Sequence, residues 1–526
     1  MDRRTLLKTA FAAAALPALP MAPAVAQGKK VVKAVMNAPL RATDPVVTTA
    51  AIVQNHAFMI YDTLFAMDAQ QQVRPQMAEK VETSADALTY TITLRPGLKW
   101  HDGPPVTAED CVASINRWAT RNVMGARLRR YLDAMKVVDA KSFQIVLKEP
   151  FGLTVKSLAL PGTNTVFMMP KRVADTPADK QLEDQTGSGP YRFIKAEFQP
   201  GVRAVYEKFA DYVPRSEPPS WMAGGKIAKI DRMEWIALGD QQSAVNALIK
   251  GEVDFIESPS WELLPQLAKA SGVTVKTHIV LGLTGVLRMN WLQKPMDNPK
   301  LRQAVLHAVT QGDYMAAVVG DPNYGKECAS FYPCGTNFAD EVAGSPRTAN
   351  LDKAKQLLQE SGYKGEKIVV LQPEDIGTLA AFGPVTAQAL RKIGLNIDLQ
   401  SQSWAKVVER RANRRSIEEG GWHIFHTFLP NGDLLDPVTN PALSGAGERA
   451  WFGWPSDAEL EKLRDDFARE GDPAKQKALA AAMQKRAFDV VPYVPLGQTL
   501  TPYAYRNTLT GILDGPQAIL WNIDKA

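Results

Sequence analysis

Residues 94–110 read LRPGLKWHDGPPVTAED, and this stretch contains a strand end, two turns and the start of a helix. Residues 88–94 alternate apolar and polar side chains with a period of two, which predicts a strand. The Pro and Gly residues that follow are turn formers. Thr107 can cap a helix, with Asp110 at the third helical position in an Asp variant of the capping box. We therefore expect a strand, a looped connection and a helix that begins after Thr107.

Strands and helices alternate on both sides of this stretch. Residues 142–147 repeat the two-residue alternation, and residues 230–256 are typical of strand, helix and strand, with Gly251 as the helix C-cap. Further strands are expected at residues 31–35, 367–371 and 395–399, and further helices at residues 50–62, 299–311, 351–361 and 378–393. This alternation predicts an α/β fold with mixed sheets that helices cover on both faces.

The composition and charge of the 526-residue chain narrow the class of protein. Hydrophobic residues make up 45% and charged residues 22%, which is typical of a globular chain and argues against extensive disorder. The formal net charge is +5, and removal of residues 1–26 would leave about +3, spread evenly along the chain. So weak and dispersed a charge does not predict nucleic-acid binding.

The first 26 residues have the pattern of an export signal. A charged start with adjacent Arg3 and Arg4 precedes an apolar stretch that ends in the small residues Ala24-Val25-Ala26. Prolines interrupt the apolar stretch, which is shorter than the roughly 20 residues of a membrane-spanning helix. The paired arginines favour the twin-arginine route, with the ordinary secretory route as the alternative. We expect a cleaved signal peptide and a protein located in the periplasm.

Three cysteines are present in the chain. Cys328 and Cys334 lie six residues apart in a loop-like segment, and an oxidising compartment favours a disulfide between them. Cys111 lies near the start of the predicted helix and is expected to be a buried free thiol. The cysteine spacing does not match a zinc site.

The stretch at residues 94–110 resembles the family 5 extracellular solute-binding proteins, the dipeptide/oligopeptide type. Other stretches resemble the same family in the expected order along nearly the whole mature chain. They are YDTLF at 61–65, GSGPYRF at 187–193, AVNAL at 244–248 with GEVD at 251–254, LRQAV at 301–305, KAKQLL at 353–358 with SGY at 361–363, and LRKIGL at 390–395.

The resemblance implies a two-lobed periplasmic binding protein of type II, similar to cluster C, with the ligand cleft between its lobes. The larger lobe would be split into two subdomains. We place the lobe I main subdomain at residues 27–60, 187–285 and 496–526, the lobe I accessory subdomain at 61–186 and lobe II at 286–495. The chain would cross to lobe II near residues 282–290 and return near 494–498. Closure of the lobes would require a ligand that contacts both of them.

One aspartate stands out as a candidate ligand residue. Residues 420–437 read GGWHIFHTFLPNGDLLDP, an apolar strand that leads into a loop. In peptide-binding relatives an aspartate four residues before a proline pairs with the α-ammonium group of the ligand, and here that pattern falls on Asp433. Leu434 and Leu435 depart from the small or polar residues often present there. The alternative is that Asp433 stabilises an Asn-Gly-Asp turn.

Several other residues are candidates for the cleft. Trp404, Trp261 and Asn290 could line it, with core packing as the alternative for each tryptophan. Asp436 is the second candidate carboxylate if Asp433 does not bind the ligand. Nickel-binding relatives exist, but His423 and His426 are three apart in a predicted strand, point to opposite faces and are not expected to share a metal ion.

The predicted function is reversible solute capture as the periplasmic component of an ABC importer. Its partners would be a peptide or related small ligand and an integral-membrane permease, with no cofactor and no nucleic acid, and the protein would be a monomer. The sequence has no nucleophile-elbow, zincin or phosphate-loop motif, so no catalytic residue is assigned. An exported hydrolase or redox enzyme is the alternative function. Opines, sugars and metal chelates are the alternative ligands within the family.

Overall fold

A computed structural model describes residues 29–340 and 346–526. The predicted signal peptide at residues 1–26 lies outside the described residues. Within them, no helix combines the length and the apolar character that crossing a membrane requires.

The described residues form strands and helices along the whole length of the chain. The strands are β1 Val31–Val35, β2 Phe65–Met67, β3 Val73–Pro75, β4 Ala78–Thr83, β5 Thr89–Leu94, β6 Leu132–Val137, β7 Ser142–Leu147, β8 Tyr191–Phe193, β9 Arg203–Lys208, β10 Arg232–Ile236, β11 Phe255–Ile256, β12 Val273–Lys276, β13 Leu283–Met289, β14 Gly325–Lys326, β15 Lys367–Pro373, β16 Asn396–Gln402, β17 Ile424–Pro430, β18 Tyr493–Thr499, β19 Tyr503–Arg506, β20 Leu509–Thr510 and β21 Asp524–Lys525. The helices are α1 Ala51–Ile60, α2 Ala108–Arg121, α3 Val123–Tyr131, α4 Thr154–Ser157, α5 Lys171–Ala174, α6 Gln241–Lys250, α7 Leu264–Lys269, α8 Pro299–Ala308, α9 Gln311–Val318, α10 Leu351–Glu360, α11 Gly377–Ala380, α12 Phe382–Ile393, α13 Trp404–Arg410, α14 Asn431–Leu434, α15 Ala458–Arg469 and α16 Pro473–Val490.

Three sheets organise the molecule. A seven-stranded sheet has the order β12-β19-β11-β1-β10-β9-β8, with β1 parallel to both β10 and β11. A six-stranded sheet has the order β14-β18-β13-β17-β15-β16, with β15 parallel to its neighbours. A four-stranded antiparallel sheet has the order β4-β5-β7-β6. The two larger sheets combine parallel and antiparallel pairs, as the sequence predicted.

The sheets take their strands from separate parts of the chain. The seven-stranded sheet uses strands of the segments assigned to the lobe I main subdomain, and the four-stranded sheet lies within the segment assigned to the accessory subdomain. Along the chain, β13 is the first strand of the six-stranded sheet and β18 is the last. The two predicted crossing points coincide with these two strands. The boundaries of the subdomains themselves stay a prediction.

The strands β13 and β18 are neighbours and pair antiparallel, with Leu287 opposite Val494. Gly282, directly before β13, has φ +68°, and a Cβ atom there would lie 1.9 Å from the carbonyl oxygen of Thr499. Only glycine fits this position, because a side chain would collide with the backbone of β18. The two stretches in which the chain is predicted to cross are therefore held side by side.

The predicted start of α2 is confirmed. The backbone N–H of Thr107 donates to Asp110 Oδ2 at 2.8 Å, and the backbone N–H of Asp110 donates to Thr107 Oγ1 at 3.4 Å, which completes the capping box. The indole Nε1 of Trp100 also donates to Asp110 Oδ2, at 3.2 Å. Gly251 caps α6 in the left-handed conformation, again as predicted.

The helix predicted near residues 299–311 is confirmed over most of its length but ends three residues earlier than predicted. The helix α8 ends at Ala308, where Val309 adopts an extended conformation, and α9 begins at Gln311. The side-chain Nε2 of Gln311 donates to the carbonyl oxygens of Cys328 and Pro495, at 2.9 and 3.0 Å. These buried contacts favour the turn over a continuous helix, because they hold Gln311 against β18 and the cysteine loop.

The cysteine predictions are confirmed. Cys328 and Cys334 form a disulfide with their Cα atoms 5.8 Å apart. Cys111 is a buried free cysteine, and burial raises the pKa of its thiol. The disulfide therefore closes a short loop beside β18.

Removal of the disulfide should lower the free energy of unfolding by about 2 kcal/mol, because the closed loop is short and its loss adds little entropy to the unfolded chain. Urea unfolding of the Cys328→Ser/Cys334→Ser variant against wild type measures the change. Peptide mapping under non-reducing conditions is the control, with the buried Cys111 as internal reference. Recovery of Cys328 and Cys334 as free thiols from exported protein would contradict the assignment.

Candidate functional site

Asp433 lies in the short helix α14, directly after the end of β17. Its carboxylate Oδ1 accepts hydrogen bonds from the backbone N–H and the Oγ1 hydroxyl of Thr163, at 3.1 and 2.7 Å. The side-chain Nδ2 of Asn164 donates to the same oxygen at 3.3 Å. Thr163 belongs to the predicted accessory subdomain, 270 residues away along the chain. Asp433 therefore joins α14 to the segment at residues 163–164.

No cationic side chain of the described residues balances the charge of the Asp433 carboxylate. Burial raises the pKa of Asp433 to about 6, against the hydrogen bonds from Thr163 and Asn164, which favour the ionised form. Among residues 29–340 and 346–526 no lysine, arginine or histidine forms an ion pair with it, and its Oδ2 has no hydrogen-bond partner. A partly buried carboxylate in this state favours a cationic ligand.

Gly162 lies beside Asp433 and links the segment of Gln517 to the candidate site. Its φ is +70°, and a Cβ atom there would lie 2.9 Å from Asp433 Oδ1. Its backbone N–H donates to Gln517 Oε1 at 2.7 Å, and Gln517 Nε2 is buried without a hydrogen-bond partner in the described chain. Gln517 lies in the C-terminal segment of the chain, 355 residues from Gly162. The sequence did not single out Gln517, because no motif marks it.

Asp436 lies in the same segment as Asp433 but forms an ion pair with a lysine. Its carboxylate is fully buried, and Oδ2 lies 2.7 Å from Nζ of Lys156 in α4. Its Oδ1 accepts a hydrogen bond from the backbone N–H of Val438 at 2.8 Å. The two candidate carboxylates thus have different partners: Asp436 forms an ion pair with Lys156, whereas Asp433 receives hydrogen bonds from the neutral donors of Thr163 and Asn164.

Trp404 begins α13, which follows β16, an edge strand of the six-stranded sheet. Its ring is partly exposed and lies 5.5 Å from the guanidinium of Arg411. That guanidinium also lies 4.9 Å from the ring of Phe452, and burial lowers its pKa. Arg411 Nε has no hydrogen-bond partner among the described residues. The sequence did not predict Arg411, since its aromatic neighbours come from distant segments.

Trp261 and Asn290 have satisfied polar groups. The indole Nε1 of Trp261 donates to the carbonyl oxygen of Leu500 at 3.2 Å, and its ring packs on a hydrophobic cluster beside the seven-stranded sheet. Asn290 is fully buried, its Nδ2 donates to the carbonyl oxygen of Trp422, and its Oδ1 accepts from the backbone N–H of Leu292. These contacts do not bring either residue to Asp433.

His426, in β17, and His423, directly before it, have different hydrogen-bond partners. His423 Nδ1 accepts from the backbone N–H of Val369 at 2.9 Å, and its Nε2 donates to the carbonyl oxygen of Lys294 at 2.9 Å. His426 Nε2 lies 2.7 Å from Thr386 Oγ1, and burial lowers the pKa of His426 to about 3. Both rings are thus engaged in separate hydrogen bonds. Within the described ranges no group of three or more His, Cys, Asp or Glu side chains is arranged to hold a metal ion.

The raised pKa of Asp433 predicts that the carboxylate costs stability when no ligand is bound. Its pKa is about 6 in the folded protein and 3.8 ordinarily, so the cost is present above pH 6 and disappears below about pH 4. At pH 7.5 the free energy of unfolding of the Asp433→Asn variant should therefore exceed that of wild type by about 1 to 3 kcal/mol. This difference should shrink as the pH falls to 4, and urea unfolding of both proteins at each pH measures it.

Asp489→Asn, an exposed aspartate at the end of α16, is the control and should show no such pH-dependent difference. A ligand-free Asp433→Asn protein that is less stable than wild type at pH 7.5 would show that the fold stabilises the charge.

Comparisons with known proteins agree on one family. Residues 72–445 match the sequence model of the bacterial extracellular solute-binding proteins, family 5. The probable peptide ABC transporter periplasmic-binding protein y4tO of Sinorhizobium fredii is 41% identical over the full length of both chains. The glutathione-binding protein GsiB of Pectobacterium atrosepticum is 27% identical over 90% of each chain.

The fold is that of the periplasmic binding proteins. The structure of DppA from Helicobacter pylori in complex with the peptide STSA superposes with a TM-score of 0.76, covering 94% of this chain and 98% of that one at 18% identity. The mixed sheets and the full-length sequence match support the same assignment. The chain belongs to family 5 of the bacterial extracellular solute-binding proteins.

Proposed function

We propose that this protein captures a peptide, or a related small solute with a free amine, for an ABC importer. The family supports solute capture, and the 41%-identical relative, named as a probable peptide ABC transporter periplasmic-binding protein, supports a peptide cargo and a membrane permease as partner. The observation that carries the ligand class is Asp433, a partly buried carboxylate whose charge no residue of the described chain balances.

The position of Asp433 links ligand binding to lobe closure. Its Oδ1 contacts the accessory subdomain through Thr163 and Asn164, while Oδ2 is left for the ligand. An ammonium group at Oδ2 would form a charge-assisted hydrogen bond and hold the carboxylate ionised. The ligand would thereby favour the arrangement in which lobe II and lobe I meet, which is the requirement for a closed, ligand-bound state.

Trp404 is kept in the proposal as an aromatic wall of the ligand cleft. Its ring is partly exposed, and Arg411 beside it is a cation without a carboxylate partner in the described chain. Pockets for small ligands combine aromatic surfaces with a few polar anchors, and this pair has both. We give no ligand role to Trp261 or Asn290, because their polar groups are already hydrogen-bonded within the protein.

The cellular setting is part of the same proposal. The export pattern of residues 1–26 and the periplasmic relatives support a periplasmic location, reached by the twin-arginine route, with the mature protein acting as a monomer. Asp436 is not assigned to the ligand, because Lys156 already balances its charge.

Native mass spectrometry of protein purified without denaturation should detect a co-purified solute, and incubation with a peptide library should return the bound peptides unchanged. Bound peptides are expected because closed lobes bury their ligand and slow its release. Catalytic turnover of the library would contradict a purely binding function. Recovery of solutes that all lack an amine would contradict the role of Asp433.

The Asp433→Asn variant should bind a free-amine peptide about a hundredfold or more weakly than wild type, because one partner of a buried charge pair is removed. N-acetylation of the peptide should weaken binding to wild type to a similar extent and have little further effect on the variant, which is the non-additivity of a direct pair. Calorimetry on the four combinations measures this, with Asp489→Asn as the matched control. Equal affinity of Asp433→Asn and wild type for the free-amine peptide would exclude the pairing.

A further inference from the structure

The side-chain amide of Gln517 lies beside the candidate site and has a fixed orientation. Its Oε1 accepts a hydrogen bond from the backbone N–H of Gly162 at 2.7 Å. Because a backbone N–H can only donate, the amide oxygen must face Gly162, and the amide nitrogen must point away from it. A single hydrogen bond therefore sets the direction of the Gln517 Nε2 donor.

The amide nitrogen is a buried donor without an acceptor. Residues 29–340 and 346–526 provide no hydrogen-bond partner for Gln517 Nε2. Most buried amide groups in folded proteins donate to a partner, because a buried donor without an acceptor costs stability. Asp433 Oδ2 is the complementary case, an acceptor to which no group of these residues donates. The two side chains together present one donor and one acceptor.

The turn at residues 162–164 joins the two side chains. The backbone N–H of Gly162 binds Gln517, and a Cβ atom on Gly162 would lie 2.9 Å from Asp433 Oδ1. The next residue, Thr163, donates to the same oxygen through its backbone N–H and its hydroxyl. The amide of Gln517 and the carboxylate of Asp433 therefore flank one residue, and that residue has no side chain to separate them.

Backbone hydrogen bonds fix the same arrangement from a second direction. The backbone of Gly515 pairs with residues 278–280 through hydrogen bonds of 2.9 and 3.0 Å. Just beyond these residues, the carbonyl oxygen of Gly282 accepts the backbone N–H of Asn431, the first residue of α14, at 3.0 Å. One continuous stretch, at residues 278–282, thus carries the segments of both side chains next to each other.

We propose that Gln517 is a second anchor for the ligand, which donates to an acceptor oxygen of the ligand while Asp433 binds the ammonium group. The pair fits an α-aminoacyl group, in which the ammonium and the carbonyl oxygen are carried by adjacent carbon atoms. A simple alkylamine has the cation without the acceptor and would leave the Gln517 donor unpaired. The pair therefore selects α-amino acids and peptide N-termini over other amines. The role of Gln517 rests on the proposed function, because it requires a ligand with a free α-amine.

The neutral character of Gln517 is important beside Asp433. A cation at this position would pair with the carboxylate and compete with the ammonium group of the ligand. A carboxylate at this position would repel the carbonyl oxygen of the ligand, because it has no proton to donate when ionised. An amide supplies the donor and leaves the charge of Asp433 for the ligand.

The test compares two pools of tripeptides on the purified protein. One pool has the form Ala-Xaa-Xaa with a free amine, and the other differs only by sulfur in place of the first carbonyl oxygen. Sulfur is a weak acceptor, whereas the amine is unchanged. Wild type should bind the oxygen pool about three- to tenfold more tightly, which is the effect of one neutral hydrogen bond. Equilibrium competition between the pools, with mass spectrometry of the bound peptides, measures the ratio.

Two variants remove the donor by different means. Gln517→Met keeps the length of the side chain but leaves the N–H of Gly162 without its acceptor. Gln517→Glu at pH 8 keeps that acceptor but has no proton to donate to the ligand. Both variants should bind the two pools equally, because the contact that distinguishes oxygen from sulfur is already lost. Gln517→Glu keeps the test valid if Gln517→Met does not fold, as checked by far-UV circular dichroism.

Gln241→Met is the matched control. The side-chain Oε1 of Gln241 also accepts a backbone N–H, from Ser260 at 3.2 Å, but it has no contact with the candidate site. This variant should keep the preference of wild type for the oxygen pool.

Gln517 has no ligand role if wild type binds both pools equally, or if both Gln517 variants keep the preference for oxygen. Equal weakening of both pools in the variants, with the preference intact, would show that Gln517 only supports the turn at Gly162. These outcomes leave the proposed function standing, since the peptides still bind. If wild type binds neither pool, the capture of free-amine peptides is contradicted, and the role of Gln517 is rejected with it.

Discussion

The antiparallel pairing of β13 with β18 is the constraint on which the two-lobed arrangement depends. These strands lie side by side in the six-stranded sheet, and both predicted crossings of the chain fall within them. Arg288, in β13, fastens the pair to its surroundings. Its fully buried guanidinium donates to the carbonyl oxygens of Pro492, directly before β18, and of Ala442, Trp451 and Phe452. Burial lowers the pKa of Arg288 to about 9, so it remains a cation near neutral pH. Loss of this side chain would remove a donor from each of these four carbonyl groups, of which that of Trp451 would keep the backbone N–H of Trp454, and buried carbonyl groups left without a donor cost stability.

Asp433 and Asp436 illustrate how environment, rather than residue type, assigns a role. They are three residues apart, both contact the segment at residues 156–164, and either was a candidate for the ligand carboxylate. Asp436 has Lys156 at 2.7 Å, whereas Asp433 receives only neutral donors and keeps a raised pKa. The same segment thus contributes an internally balanced charge to lobe packing and an unbalanced charge to the candidate site. A cost to stability that a bound cation would remove is common at functional sites.

The candidate site was only partly accessible to prediction. The resemblance pointed to Asp433, and the hydrogen bonds and burial of its carboxylate support that choice. Gln517, Gly162, Lys156 and Arg411 had no signal in the sequence, because their partners lie far away in the chain. Thr163 and Asp433 are 270 residues apart, and Gly162 and Gln517 are 355 residues apart. No local pattern carries information over such separations, whereas a cap or a turn needs only a few neighbouring residues.

The sequence by itself determined the α/β class, the family and the elements whose ends depend on local hydrogen bonds. The start of α2 at Thr107 and the end of α6 at Gly251 are of this kind, as are the alternating strands β5 and β7. Only the tertiary structure decided the break between α8 and α9, where the side chain of Gln311 bonds to Cys328 and Pro495. It likewise decided which of two neighbouring aspartates is balanced by a lysine. The physical reason is the same in both cases, since burial and partners from distant segments set the energy of a polar group, and neither exists until the chain has folded.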